Sequence, residues 1–314
     1  MSFVAKPFTV NISRVIRLLG SRLYKTSDVV IRELAQNGRD AIHKRWGPSA
    51  IPKGRVQFDV NPASGTLSVG DNGVGMTEYD LEIYLSRLGE SLKAIEDDLS
   101  RGSSLGLSDK TSKAIGEYGL GFFSSFMIAD EVTVTTLVEN ASSAYRWHSV
   151  GTDSYAIERI DSTGISVGTT VVLRLHSGSL KYSNTTAVRD IIKHYCEYLD
   201  CPIYLNHSTD PVNCMVFPWE QKTEAKMRSI LAERYGTPID LAGFGVKKLP
   251  SIGDIGYALM CHGADETTFS IFCQRLFVTD ILHIMPQDLK YIGGMVNYDG
   301  LTLSLGREVT VQPC

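Results

Sequence analysis

The chain has 314 residues, 31 basic and 35 acidic, a formal charge of −4, and 43% hydrophobic against 21% charged residues. That length exceeds what a single core usually covers, at roughly 150 residues per domain, so two domains are expected, and the composition excludes disordered, collagenous and disulfide-scaffold chains. The near-neutral charge leaves no electrostatic footprint for nucleic acid or an anionic membrane as the main partner.

No apolar run approaches the roughly 18 residues a membrane span needs, and the start MSFVAKPFTVNISR lacks the basic-then-apolar order of a secretory signal, so the expected location is the cytoplasm. Cys196, Cys201, Cys214, Cys261, Cys273 and Cys314 show no C-x-x-C spacing and no paired histidines at zinc-ligand distance. They read as reduced, packed thiols.

In chain order, a short opening strand leads into two helices, with Val15, Ile16, Leu19, Leu23, Val30, Leu34 and Ala41 recurring at helical spacing. The break at 25–28 puts Ser27 or Asp28 in position to cap the second helix. Residues 55–60 and 66–69 alternate at period two around the turn Asn61-Pro62-Ala63-Ser64-Gly65, which predicts a hairpin running into Asp71-Asn72-Gly73-Val74-Gly75-Met76. A short helix over 77–88 is opened by Thr77 with Asp80 three residues on. The polar, aperiodic stretch 89–115 has the character of a lid. Gly116-Glu117-Tyr118-Gly119-Leu120-Gly121 then opens an apolar helix over 122–128, followed by strands near 131–138, 144–150, 155–160 and 169–175. Helices and strands in segregated blocks predict an α+β class. A polar boundary at 176–186 precedes a helix near 187–199 and a second α/β region.

Glu33, Asn37, Asp40 and Lys44 are spaced four, three and four apart and share one helix face. Taken alone this is a solvated face; a carboxylate one turn from an amide also suits a water-activating base beside a hard-metal ligand. Asp71 at a strand end can accept the exocyclic amine of adenine, where guanine presents a repelled oxygen, while nearby glycines let a purine approach the backbone. The plainer alternative is an Asp-Asn-Gly turn. Gly116-x-x-Gly119-x-Gly121 before a helix offers N–H groups as a phosphate cradle, without the Lys-Ser/Thr of a Walker loop.

In this order and spacing, Glu33-x-x-x-Asn37, Asp71-x-Gly73-x-Gly75-Met76 and Gly116-x-x-Gly119-x-Gly121 resemble the GHKL (Bergerat-fold) ATPases. Within them the chain is similar to the heat-shock protein 90 chaperones of the bacterial type, also through Ser21-Arg22-Leu23-Tyr24, Asp40-Ala41, Gly168-Thr169 and, beyond the first domain, 190–205 and 272–307. Residues 206–262 have no counterpart in that resemblance. The resemblance implies a two-layer α/β sandwich over 1–180, with its lid near 89–121, and a partial α/β middle domain over 181–314. It implies an ATP-hydrolysing chaperone. Asn37 would bind Mg²⁺ and Glu33 would activate the attacking water; Arg307 would reach the γ-phosphate. Asp71, with Thr169, would hold adenine. Asp40, Ala41, Lys44, Gly75 and Met76 would line the pocket, and the amides of Gly119, Leu120, Gly121 and Phe122 would hold phosphate.

Expected partners are ATP or ADP, client proteins and co-chaperones, with no nucleic acid and no membrane, and a homodimer only where a C-terminal domain exists. Three departures from the family pattern stand out: Tyr84 where Asn is usual, Glu90 where Lys is usual, and Val311 where Gln is usual. They motivate a second expectation, a nucleotide-binding regulatory or scaffold module with little hydrolysis. A third reading, a GHKL ATPase of the DNA-repair or topoisomerase kind, is disfavoured by the charge and by the text at 272–307. Gly38, inside a helix at a cost of about 0.5–1 kcal/mol relative to Ala, is expected to serve close packing against a ligand.

Overall fold

The structure, a computed structural model, describes residues 26–47, 53–86, 120–152, 154–235, 240–249, 253–261, 268–282 and 292–301. The expected opening strand and first helix, nearly all of the lid segment, and Gly119, Glu90, Arg307 and Val311 lie outside these residues.

Alternating burial along Val56–Asn61 (β1) and Thr66–Asp71 (β2) turns one set of side chains inward, and the two strands pair antiparallel from Val56↔Asp71 to Asn61↔Thr66, as the hairpin reading requires. Strands Ala129–Leu137 (β3), Ser143–Ser149 (β4), Ala156–Asp161 (β5) and Gly168–Leu175 (β6) extend them into a seven-stranded sheet of order β5-β4-β3-β6-β2-β1-β7. Its last member, Ile203–Leu205 (β7), pairs parallel to β1. The chain beyond 180 thus still builds the first sheet, because Ile203 and Leu205 are apolar and fully enclosed against it. Asn206, in the left-handed region at φ 53°, locks the join: its Oδ1 accepts from Val60 N at 2.8 Å and its Nδ2 donates to Thr185 Oγ1 at 3.1 Å.

Helix α1 (Val29–Trp46), α2 (Glu78–Ser86), the single turn α3 (Leu120–Phe123) with its 3₁₀ continuation Ser124–Met127, and α4 (Thr185–Cys196) share one apolar core with this sheet, built on Ile31, Leu34, Phe58, Leu67, Leu81, Phe126, Val134 and Ile192. Thr77 and Asp80 cap α2 reciprocally, Thr77 N donating to Asp80 Oδ2 at 2.8 Å and Asp80 N to Thr77 Oγ1 at 3.2 Å. The expected side-chain cap of α1 is absent. Asp28 is drawn off by stronger partners: its Oδ1 accepts from Lys181 Nζ at 2.6 Å and Tyr182 OH at 2.9 Å, which ties the helix start to the 3₁₀ segment Ser177–Ser183.

The segment without a counterpart in the resemblance contains a helix, α5 (Glu224–Tyr235), and the antiparallel pair Asp240–Leu249 (β8) and Gly253–Cys261 (β9). With Thr268–Cys273 (β10), Leu276–Leu282 (β11) and Ile292–Tyr298 (β12) they form a second sheet, β11-β10-β12-β9-β8, packed on Tyr198, Phe217, Met227, Leu231, Phe272 and Met295. The molecule is α+β throughout. No helix among the described residues is long and apolar enough to cross a membrane. Cys196 and Cys201 are buried free thiols, Cys214 is a half-buried one and Cys273 is buried; burial pushes Cys196 and Cys201 up to about 12, out of reach of easy ionisation.

Candidate functional site

The loop after β2 is fastened at nearly every residue. Asp71 Oδ1 accepts from Gly73 N at 2.8 Å, so the plain Asp-Asn-Gly turn is present. Asn72 Oδ1 accepts from Arg55 N and its Nδ2 donates to Lys53 O, both at 2.8 Å. Arg45 of α1 donates to Asn72 O at 2.9 Å, and Val74 N donates to Ala41 O at 3.1 Å, which docks the loop on the helix. Glycine is required at two points. A Cβ on Gly73 would lie 2.5 Å from the Ala41 backbone, and Gly75, at φ +73°, would place one 2.2 Å from Leu137 O.

Loop, helix and sheet enclose a cavity of about 320 Å³. One wall is the α1 face carrying Asn37, Asp40, Ala41 and Lys44. Asp71, Gly75, Met76 and Thr169 line it as well, together with Phe122 and, from α2, Asp80, Tyr84 and Leu85. Nine of the sequence-derived site residues are therefore together. Their spacing along α1 sets one wall, and the antiparallel register that puts Asp71 beside Thr169 sets the other.

The exposure Asp71 retains is to this cavity; protein encloses it otherwise, and the lost hydration pushes its carboxyl up to about 7, against the lowering pull of the Gly73 and Thr169 backbone N–H groups. Beneath it lies a hydroxyl relay that the sequence did not flag. Thr136 Oγ1, fully buried, accepts from Met76 N at 2.8 Å, donates to Gly168 O at 3.0 Å and sits 3.1 Å from Thr169 Oγ1. A threonine within an alternating strand carries no signal of such a role. Gly168, at φ +126°, allows this closeness: a Cβ there would meet Asp71 O at 2.1 Å.

Glu33 stands apart from the cavity lining. It is 3% exposed, its Oε1 accepting from Arg32 Nε at 3.2 Å and Nη2 at 3.0 Å, and its Oε2 faces Gly121, where a Cβ would lie 2.6 Å away. The solvated-face reading of this helix fails at Glu33 and holds at Asn37, which is exposed into the cavity. Gly38 is explained by protein: a Cβ would lie 3.0 Å from Val56 Cγ2 and 3.3 Å from Asp71 Cβ, so this glycine lets α1 press on the hairpin that carries Asp71.

A purine-sized hollow with a carboxylate floor, an amide wall and glycine-thinned loops matches the sequence pattern, and residues 24–174 match the family described as histidine kinase-, DNA gyrase B- and HSP90-like ATPases. Those residues match a GHKL ATPase domain. Over its length the chain is similar to heat-shock protein 90 chaperones. It is 27% identical to the mitochondrial TNF receptor-associated protein 1 homolog of Dictyostelium discoideum, over 96% of this chain and 44% of that protein. It is 26% identical to the mitochondrial heat shock protein 75 kDa of Bos taurus, over 96% of this chain and 45% of that protein. With the chaperone protein HtpG of Treponema denticola it shares 24% identity, over 97% of this chain and 54% of the relative. The chain thus spans about half the length of the curated relatives it matches.

Proposed function

We propose that the chain is the nucleotide-binding and adjoining part of an ATP-dependent chaperone, and that the cavity takes Mg-ATP. The observation that carries this reading is that Asp71, Asn37, Asp40, Ala41 and Lys44 line one hollow. Ionised Asp71 accepts from the adenine amine, backed by Thr169; Gly75 and Met76 lie against the base, and Asn37 stands toward the phosphates. Among the described residues there is no cluster of three acidic, His or Cys side chains able to hold a metal by itself. One carboxamide, Asn37, suits a cation that keeps most of its waters and is otherwise held by phosphate oxygens, which fits Mg²⁺. Bound there, Mg²⁺ would neutralise phosphate charge.

Glu33 is the proposed base for the attacking water, and the backbone N–H groups from Gly119 to Phe122 the phosphate cradle, with Arg307 supplying charge at the γ-phosphate. For Glu33 to act, its carboxylate must leave Arg32 and turn past Gly121 toward the cavity. The 24–174 match and the likeness to chaperones support client proteins, ATP and ADP as partners, with co-chaperones as further candidates and a homodimer only where a C-terminal domain exists. The free thiols support a reducing compartment, in keeping with the cytoplasmic reading. We also place the domain division after β7, since Ile203–Leu205 completes the first sheet.

The test is Glu33→Gln, which keeps a hydrogen-bond acceptor for the buried Arg32 where alanine would strand its charge. ADP affinity should stay within about twofold and phosphate release should fall by about 100-fold or more; turnover that survives the substitution sinks the assignment. One observation favours the second reading, a nucleotide-binding module with little hydrolysis: Glu33 is engaged by Arg32 and outside the cavity lining. Calorimetric Mg-ATP binding without phosphate release from the wild type would select it.

A further inference from the structure

Arg39, on α1 beside the cavity wall, ties that helix to the connection between α4 and β7. Its Nε donates to Asp200 Oδ1 at 2.8 Å and its Nη2 to Asp200 Oδ2 at 3.4 Å, while Nη1 donates to Asp40 Oδ1 at 2.9 Å. Asp200 lies in the connection between α4 and β7, outside the cavity, and His43 Nε2 stands 3.6 Å from its Oδ2. Asp40 lines the cavity with its side chain half exposed. A two-point grip from Asp200 leaves the guanidinium one direction for its remaining edge, and Asp40 lies in that direction.

The arrangement bears on what the cavity can accept. An anionic ligand meets a wall that carries the Asp40 carboxylate, and uncompensated like charge opposes binding by an amount that grows with the charge of the ligand. Resting on the reading of the cavity as an adenine-nucleotide pocket, we infer that Arg39, held by Asp200, is a positioning residue that fixes and neutralises Asp40, so that affinity for phosphorylated ligands depends on a carboxylate outside the cavity. The environment of the pair agrees: Asp200 is held below its ordinary carboxylate value by Arg39, with His43 and Arg275 adding to the pull against burial, and Arg39 is raised by Asp200 and Asp40 against burial. Arg275 belongs to the second sheet, where it donates to Glu220 at 2.7 and 2.9 Å, to Tyr198 O and to Met215 O. The node that steadies the cavity wall therefore lies at the junction with that sheet.

The experiment compares ADP with adenosine, which share the base and differ in charge, by calorimetry at low salt. Arg39→Gln should weaken ADP by about five- to tenfold and adenosine by less than about twofold. Asp200→Ala, which leaves both residues on the cavity side in place, should show the same selectivity at about threefold. Adding Asp40→Asn to Arg39→Gln should remove the difference between the two ligands. If Arg39→Gln does not fold because Asp200 has lost its partner, Arg39→Gln with Asp200→Asn removes both charges and carries the same comparison. Equal losses for ADP and adenosine overturn the inference and leave the functional reading standing. A wild-type chain that binds neither ligand sinks the functional reading, and this inference with it.

Discussion

The two ends of the cavity differ in how far the chain has prepared them. At the Asp71 end every backbone group that positions the carboxylate is tied to protein: Gly73 N to Asp71, Val74 N to Ala41 O, Met76 N to Thr136, with Gly75 and Gly168 wedged against backbone. At the Glu33 end the carboxylate is turned to Arg32, and Asn37 projects into the hollow from one helix alone. The groups proposed for base recognition are preorganised, whereas the carboxylate proposed for chemistry is held short of the cavity. An active site can store selectivity in a rigid part while leaving its reactive part to a conformational step.

The largest effect expected from breaking this contrast is at Asp71. Asp71→Asn turns an acceptor-only group into one that also presents a donor to the adenine amine, in a site with little water to relieve the mismatch. ADP affinity should fall by about 100-fold or more, read by calorimetry, with folding retained. A loss under tenfold would show that the rigid end does not select the base. Next is Gly168→Ala, where a Cβ at φ +126° would run into Asp71 O. Thermal unfolding should register a loss of about 2–4 kcal/mol, with adenosine binding lost as well, because the strain falls on the residue proposed to hold the base. Glu33→Gln probes the opposite end and should leave that rigidity untouched.

Proton linkage gives an intermediate effect. Asp71 has its folded value raised to about 7 from 3.8, so the folded state holds the proton where the unfolded chain has released it. Stability of the unliganded protein from this group is full below about pH 4 and declines as pH rises to about 7. Adenine requires the ionised form, so binding expels a proton between these limits. ADP affinity should strengthen by about tenfold from pH 6 to pH 8, with proton release seen as a buffer-dependent calorimetric enthalpy. A flat profile would mean that Asp71 is already ionised in the empty cavity.

Much of the rigid end was legible in the sequence because its parts are local. Period-two alternation placed the hairpin, the six-residue motif from Asp71 to Met76 placed the glycines, and Thr77 with Asp80 announced the start of α2. The four strands from 129 to 175 lie within two residues of their expected bounds for the same reason. What escaped depends on register between distant strands or on competition for a partner. Thr136 matters because β3 and β6 bring it to Thr169, and nothing adjacent in the chain records that. Asp28 fails as a cap because Lys181 and Tyr182, some 150 residues away, take its oxygen. Ile203–Leu205 joins the first sheet through a parallel pairing that no turn signal announces. Arg39 and Asp200 meet across the same kind of sequence gap.

Gly38 offers the smallest effect and the finest test of the rigid end. On helix propensity alone, Gly38→Ala within α1 should add about 0.5–1 kcal/mol of stability. Against this, the new methyl would sit 3.0 Å from Val56 Cγ2 and 3.3 Å from Asp71 Cβ, contacts that open only if the helix and hairpin separate by a few tenths of an ångström. The two effects oppose each other and are similar in size, so the melting temperature should move by no more than a few degrees. Binding has no such compensation, because the displaced group is the side chain proposed to hold the base. ADP affinity should fall by about three- to fivefold at nearly unchanged stability. If both rise together, the separation was absorbed at Val56, and Asp71 is less tightly placed than its backbone contacts imply.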